Sequence, residues 1–196
     1  MTKQELIELS ESSKRVIDLA QLEAVVGQQE DASLKSPGVY AHYYRFFYRL
    51  TQLIKPALTV ELGTHVGISS ACLADGFRDG KVITVNNHVE LFEHNRRSNV
   101  TYLIQDSLEP IQTVNDIVIL FIDTDHDGVR CLNEFELYKD RVLPGGLIFF
   151  DDIHLLPCME EFWKNFNPAG YEKFELPVHG DAGFGVLIKN SEGDKR

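Results

Sequence analysis

The stretch Thr59-Val-Glu-Leu-Gly-Thr-His-Val-Gly-Ile-Ser-Ser70 joins an apolar run to a helical segment through a turn that contains two glycines. Gly63 allows the backbone to turn sharply after the run, and Gly67 allows a ligand to approach the amides at the start of the next helix. The stretch therefore predicts a strand, a ligand-binding turn and a helix from Ser69 to Phe77. Its G-x-x-x-G spacing differs from the G-x-G-x-x-G pattern of dinucleotide-binding proteins, so a hydride-transfer enzyme is disfavoured.

Short apolar runs alternate with helical segments along the rest of the chain. The runs are Leu58–Leu62, Val82–Val85, Val100–Ile104, Ile117–Ile122 and Leu147–Phe150. Such nearly continuous apolar runs are typical of parallel strands that helices cover on both faces. Near the end, Tyr171–Pro177 and Gly185–Lys189 predict an antiparallel hairpin. We therefore expect an α/β fold, a Rossmann-like three-layer sandwich whose mostly parallel sheet ends in this hairpin.

Two helical segments precede the first strand. Apolar residues recur at three- and four-residue steps from Gln4 to about Val26, and a second segment extends from Val39 to Ile54. The second segment is rich in aromatic residues, which are Tyr40, Tyr43, Tyr44, Phe46, Phe47 and Tyr48. Most of them are expected to pack on the sheet, and the sequence does not select which ones line a substrate pocket. We predict an N-terminal helical cover over the active-site edge, residues 1–55, and one compact Rossmann-like domain, residues 56–196.

Composition narrows the functional class. The chain has 196 residues and a formal charge of −11, and its basic residues are scattered. Because nucleic acids bind to positive surfaces, a nucleic-acid partner is disfavoured. The apolar runs are strand-sized and the N-terminus has no apolar signal core, so we expect a cytoplasmic protein without membrane association. Cys72, Cys131 and Cys158 have no C-x-x-C spacing, and buried reduced thiols are expected.

Carboxylates follow two of the predicted strands. Asp123 and Asp125 follow the run Ile117–Ile122, and Asp151 and Asp152 follow the run Leu147–Phe150. If these strands are neighbours, their carboxylates meet at the carboxyl edge of the sheet, where α/β proteins bind ligands. Clustered carboxylates repel one another unless a cation neutralises them, and Mg²⁺ or Mn²⁺ prefers oxygen ligands. Asp152 has an alternative role as a cap of the next helix, near 155–166, because sequential residues of a strand point to opposite faces.

A calcium-loop pattern overlaps this region. Residues from Asp123 to Glu134 match the EF-hand spacing, with Asp at positions one, three and five, Gly at six and Glu at twelve. The preceding segment is predicted to be a buried strand instead of a helix, and Arg130 stands where such loops usually have an aliphatic residue. We interpret the match as coincidental, and Ca²⁺ as the less favoured ion.

At the glycine turn, the sequence resembles class I S-adenosylmethionine-dependent methyltransferases. The resemblance implies that Glu61 and the turn, with Gly63, Gly67 and Ser69, hold the amino acid part of the cofactor. The alternative for Glu61 is a strand-end carboxylate that caps the next helix.

The same resemblance implies contacts further along the chain. The ribose would be contacted by Asn86, where the family usually has Asp or Glu, with Glu90 as a substitute. Asp106 and Ser107 would contact the adenine end, and Asp123 would also face the cofactor.

The two aspartate motifs are similar to those of metal-dependent small-molecule O-methyltransferases, the group that includes macrocin O-methyltransferase and cephalosporin hydroxylase-like proteins. The resemblance extends from about Pro37 to Lys189. It implies that Asp123, Asp151 and Asp152 bind Mg²⁺ or Mn²⁺, with Asp125 or His126 as the catalytic base. A histidine at a strand end is otherwise usually a hydrogen-bonding residue, and that interpretation is preferred for His65 and His154.

The predicted function is therefore S-adenosylmethionine-dependent, divalent-metal-assisted O-methyl transfer to a small-molecule hydroxyl, with homo-oligomer formation left open. The alternatives are a non-catalytic or calcium-binding protein on the same fold, and a methyltransferase that needs no metal.

Overall fold

The computed structural model describes residues 1–13, 40–88, 95–178 and 180–191. Five α-helices are described: α1 Lys3–Ser13, α2 Tyr40–Ile54, α3 Ile68–Gly76, α4 Gly128–Tyr138 and α5 Pro157–Asn165. Seven strands are described: β1 Leu58–Leu62, β2 Lys81–Asn86, β3 Val100–Ile104, β4 Ile117–Ile122, β5 Val142–Asp151, β6 Tyr171–Glu175 and β7 Phe184–Lys189. Short 3₁₀ helices lie at Lys139–Arg141 and Gly180–Ala182.

The seven strands form one sheet in the order β3-β2-β1-β4-β5-β7-β6. The first five strands of this order pair in parallel, and β7 pairs antiparallel with both β5 and β6. The predicted Rossmann-like fold with its C-terminal hairpin is thereby confirmed. The strand order reverses between β1 and β4, so their carboxyl ends border a crevice in which α/β proteins bind ligands.

The two faces of the sheet carry separate apolar cores. On one face, α1, α2 and α3 cover an aromatic cluster in which Phe47 of α2 packs edge-on against Phe121 and Phe149, with ring centroids 4.7 and 5.4 Å apart. On the other face, α4 and α5 pack Phe135 and Trp163 against the sheet. Edge-to-face aromatic contacts of this kind add about 0.5–1.5 kcal/mol per pair beyond the burial of apolar area.

The predicted N-terminal helices are found in part. The structure describes the first as Lys3–Ser13, and the rest of the predicted segment lies outside the described residues. Leu6 and Leu9 of α1 belong to the same core cluster as Phe46 and Phe47 of α2. The division of the chain at residue 55 stays a prediction.

One detail of the sequence interpretation is wrong. Cys158 is exposed, whereas Cys72 and Cys131 are buried as expected. The helix expected near 155–166 is present as Pro157–Asn165, and it begins at a proline, which favours the first helical position because it has no amide hydrogen to donate. No helix in the described part of the chain is long and apolar enough to cross a membrane.

Candidate active site

A cavity of about 350 Å³ opens at the carboxyl edge of the sheet, at the reversal of strand order. Its wall includes residues that end or follow β1, β2, β3 and β4, together with two tyrosines of α2. These residues include Gly63, Asn86, Ser107, Asp123, Tyr43 and Tyr44. The carboxyl ends of four strands therefore converge on one space, as the sequence predicted for a ligand site.

The glycine turn brings the backbone of β1 against that of β4. Gly63 has φ +105°, and a Cβ atom at this position would lie 1.6 Å from the carbonyl oxygen of Asp123. Gly67, with φ +86°, is the N-cap of α3. Only glycine fits at position 63, because any side chain would collide with the β4 loop.

Glu61 lies beneath this turn instead of on the cavity wall. Its side chain is fully buried, and one carboxylate oxygen accepts hydrogen bonds of 2.5 Å from the hydroxyls of Ser70 and Thr84. Burial raises the pKa of Glu61 to about 7, against the opposing effect of neighbouring hydroxyls. The alternative role as a helix cap is wrong, because α3 has no side-chain cap. Glu61 joins α3 to β2 and is not among the residues that line the cavity, so its contact with the cofactor stays a prediction.

The buried Glu61 should make stability depend on pH. Its folded pKa of about 7 exceeds the ordinary value of 4.5. The folded state therefore retains a proton that the unfolded chain releases, and stability should fall by up to about 3 kcal/mol as pH rises between these values. Glu61→Gln should make this slope clearly shallower in urea unfolding measured from pH 4.5 to 8, although the buried Asp151, whose pKa is also raised, keeps a part of it. Glu172→Gln, on the exposed side of β6, is the control, and an unchanged slope in Glu61→Gln would contradict the assignment.

One imidazole nitrogen of His126 contacts two aspartates, Asp123 and Asp152. His126 Nε2 lies 3.3 Å from Asp123 Oδ1 and 3.1 Å from Asp152 Oδ2. The hydrogen bond to Asp123 raises the pKa of His126, and the charges of the nearby aspartates act in the same direction. The carboxylates thus stabilise the protonated imidazole.

Asp151 is buried beside this group. Burial raises the pKa of its carboxyl well above the usual range, and the negative charges of Asp123 and Asp152 raise it further. The carboxylates that follow β4 and β5 therefore lie close together, as predicted. They do so because the two strands pair in parallel, with Ile122 opposite Phe150.

A left-handed backbone conformation at Asp152 separates it from the strand that ends at Asp151. β5 ends at Asp151, and Asp152 has φ +53°, so it leaves the alternation of the strand. The N-cap of α5 is Leu156, which excludes the capping role considered for Asp152. His126 also has a positive φ, +49°. Strained residues of this type persist where the surrounding structure holds them, and they cluster at active sites.

The side chains of the described residues, as they stand, form no group of three or more His, Cys, Asp or Glu that could hold a metal ion. The donor chemistry nevertheless suits a hard divalent cation, because the three aspartates offer only carboxylate oxygens. His126 Nε2 lies between two of these carboxylates.

The remaining predicted residues have different surroundings. Asp125 lines the cavity, but its side chain is 65% exposed and lies 3.5 Å from Arg130 Nε. Asn86 lines the cavity and donates to the carbonyl oxygen of His88 at 2.8 Å. Asp106 bonds to Arg130 and does not line the cavity. Glu90 lies outside the described residues.

Sequence reasoning missed Glu134 as a structural residue of the site. The sequence pattern suggested Glu134 only as the last ligand of a calcium loop. In the structure, the residues after Asp127 form α4, and Glu134 is buried within that helix. Asp127 is the N-cap of the helix and accepts a hydrogen bond from the Arg130 amide at 2.9 Å. A helix in this place is incompatible with an EF-hand loop, so the match is coincidental, as interpreted.

Comparison with known proteins agrees with this geometry. A family model described as a methyltransferase domain matches residues 60–153. An uncharacterized protein of Acanthamoeba polyphaga mimivirus, R132, is 30% identical over 152 residues, which cover 63% of this chain and 67% of that protein. The chain belongs to the same family as this relative, and its residues 60–153 match a methyltransferase domain.

Solved structures share the fold at low sequence identity. The methyltransferase PaMTH1 of Podospora anserina, bound to SAH, has a TM-score of 0.65 at 14% identity, over 97% of this chain and 89% of that one. A putative caffeoyl-CoA O-methyltransferase of Staphylococcus aureus has a TM-score of 0.63 at 18% identity, over 96% and 99%. The O-methyltransferase TomG of Streptomyces achromogenes, in complex with SAM, has a TM-score of 0.62 at 17% identity, over 97% and 100%. The domain match and the shared fold identify the chain as a methyltransferase, as the sequence predicted.

Proposed function

We propose that the chain transfers the methyl group of S-adenosylmethionine to a hydroxyl group of a small molecule. One observation carries the proposal: the glycine turn, Asp123 and His126 border the same cavity. Asp152 contacts His126 Nε2 from outside the cavity lining. The turn suits the cofactor, and the acidic group suits removal of a proton from the acceptor. The presence of SAH or SAM in neighbours of the same fold supports the choice of cofactor.

The cofactor would extend along the carboxyl ends of the strands. Gly63, Gly67 and Ser69 would contact its amino acid part, and Asn86 would contact the ribose. An amide hydrogen-bonds a ribose hydroxyl without the charge that a carboxylate provides, a difference of about 1 kcal/mol. Ser107 would lie near the adenine end.

His126 is the base in this proposal. Its imidazole lies between two carboxylates, which stabilise the cation that forms when it accepts the hydroxyl proton. Asp125 is the less favoured base, because its carboxylate is mostly exposed and close to the guanidinium of Arg130. Tyr43 and Tyr44 also line the cavity and would contact the acceptor.

We further propose that the site binds a divalent metal, Mg²⁺ or Mn²⁺. This would place the chain among the metal-dependent small-molecule O-methyltransferases. Asp123, Asp151 and Asp152 would hold it, because they provide hard oxygen donors and because Asp151 is buried beside two other negative charges. When bound, such an ion lowers the pKa of an acceptor hydroxyl.

Calorimetry with SAM and SAH tests the cofactor. We expect saturable binding in the micromolar range, and the absence of binding at millimolar concentrations would overturn the proposal and favour a non-catalytic protein.

Mn²⁺ binding followed by electron paramagnetic resonance tests the metal separately. Asp151→Asn should weaken Mn²⁺ binding, whereas Glu134→Ala should leave it intact, the reverse of what a calcium loop requires.

A further inference from the structure

A buried carboxylate joins three elements on the β3–β4 side of the cavity. Glu134 of α4 has no exposed surface, and its Oε1 accepts hydrogen bonds from Ser107 Oγ at 2.5 Å and from Arg130 Nε at 3.2 Å. Its Oε2 accepts from Thr124 Oγ1 at 3.0 Å. Glu134 therefore holds together the loop after β3, the loop after β4 and helix α4.

The donors that Glu134 holds also face the cavity. Ser107, Thr124 and Arg130 all line it. The three therefore form one wall, which we call the Arg130 wall. Because burying a charged carboxylate is costly, its three hydrogen bonds must offset desolvation, and the arrangement depends on all of them.

The residues expected to contact adenine already have partners within the protein. Asp106 Oδ1 accepts from the Leu108 amide at 2.9 Å and from Arg130 Nη2 at 2.5 Å. The Ser107 hydroxyl donates to Glu134 and accepts from Arg130 Nη2 at 2.7 Å. A hydroxyl has a single proton to donate, so Ser107 cannot donate to adenine while it bonds to Glu134.

We propose that Arg130 is a cofactor-binding residue for the adenosine half of S-adenosylmethionine, and that Glu134 is the positioning residue that holds it. This inference rests on the proposed function. A guanidinium has five donors and a flat face, so it can donate to ring nitrogens or stack on a base while its other edge remains bound to carboxylates. Asp106 and Glu134 fix that edge, with Asp125 3.5 Å away.

Calorimetry with SAH and with adenosine tests the role of Arg130. Arg130→Met keeps most of the side-chain length and removes the guanidinium. Loss of a charge-assisted contact should weaken both ligands roughly ten- to a hundredfold. Tyr138→Phe is the matched control, because it removes a hydrogen bond on the same helix, from the Tyr138 hydroxyl to the Glu109 carbonyl oxygen at 3.4 Å, outside the cavity. This control should bind both ligands as the wild type does.

A pair of substitutions at Glu134 tests positioning. Glu134→Ala should weaken adenosine binding, and Glu134→Gln, which retains an acceptor oxygen and nearly the same size, should restore most of it. Equal adenosine affinity in the wild type, Arg130→Met and Glu134→Ala would overturn the inference while leaving the proposed function intact. An equal loss in Tyr138→Phe would overturn it too, because the effect would then reflect general destabilisation. Failure of the wild type to bind SAH would instead overturn the proposed function, and this inference with it.

Discussion

Gly63→Ala is expected to be the most destabilising single substitution at the site. The added Cβ would lie 1.6 Å from the carbonyl oxygen of Asp123, a backbone atom that cannot rotate away. A left-handed conformation costs an L-residue about 1–2 kcal/mol, and overpacking adds about 1–3 kcal/mol. For a domain of this size, the combined loss of about 2–5 kcal/mol should lower the melting temperature by roughly 4–20 °C. Cofactor binding should also be lost, because relieving the collision separates the ends of β1 and β4.

Gly170→Ala provides the matched control for this experiment. Gly170 also has a positive φ, +86°, but no atom lies within 4 Å of the position that its Cβ would occupy. Its cost should therefore be limited to backbone strain, about 1–2 kcal/mol. Thermal and urea unfolding of the two variants measure the difference. Equal losses would show that the contact between Gly63 and the β4 loop does not constrain the fold.

The strands were predictable because they are buried on both faces. Runs such as Ile117–Ile122 are apolar throughout, and five of its six residues are buried in a sheet that helices cover on both faces. The proximity of Asp123 and Asp151 was also predictable, since it requires only that the two strands before them be neighbours. Composition and order along the chain are sufficient for both inferences.

The directions of individual side chains were not predictable. Glu61 has the type and position expected of a cofactor contact, yet its carboxylate points to Ser70 and Thr84, which come from two other elements. Asp152 leaves the strand alternation through a positive φ, and no local motif announces this for an aspartate. Such features depend on contacts between distant parts of the chain, which short patterns do not contain.

The Arg130 wall illustrates the same limit. Arg130 and Asp106 are separated by 24 positions, and Glu134 and Ser107 by 27. In the sequence, Arg130 was merely an unusual residue within a calcium-loop pattern. The fold gives it a different role, because α4 begins inside that pattern and turns the two residues toward the loop after β3.

His126→Asn is expected to have the largest effect on catalysis. Asparagine tolerates the left-handed conformation that His126 adopts, with φ +49°, so the loop should keep its shape. It cannot accept the acceptor's proton, and loss of a general base typically lowers the rate about 10²–10⁴-fold. The affinity for SAH should stay close to that of the wild type, because the imidazole is bound to Asp123 and Asp152 instead of to the glycine turn. Radiolabelled methyl transfer to a panel of small-molecule hydroxyl compounds, together with SAH calorimetry, measures the two effects.

His65→Asn is the matched control, since His65 has φ +43° and lines the same cavity on the side of the glycine turn. The substitution and the backbone conformation are the same, so a loss of loop geometry would affect both variants. Retained turnover in His65→Asn beside a large loss in His126→Asn would assign the effect to the imidazole between the two carboxylates. If His126→Asn kept wild-type turnover, the base would have to be sought elsewhere, and Asp125 would be the next residue to replace. Two substitutions of one kind in a single cavity thus distinguish loss of the proton acceptor from loss of the geometry of the glycine turn.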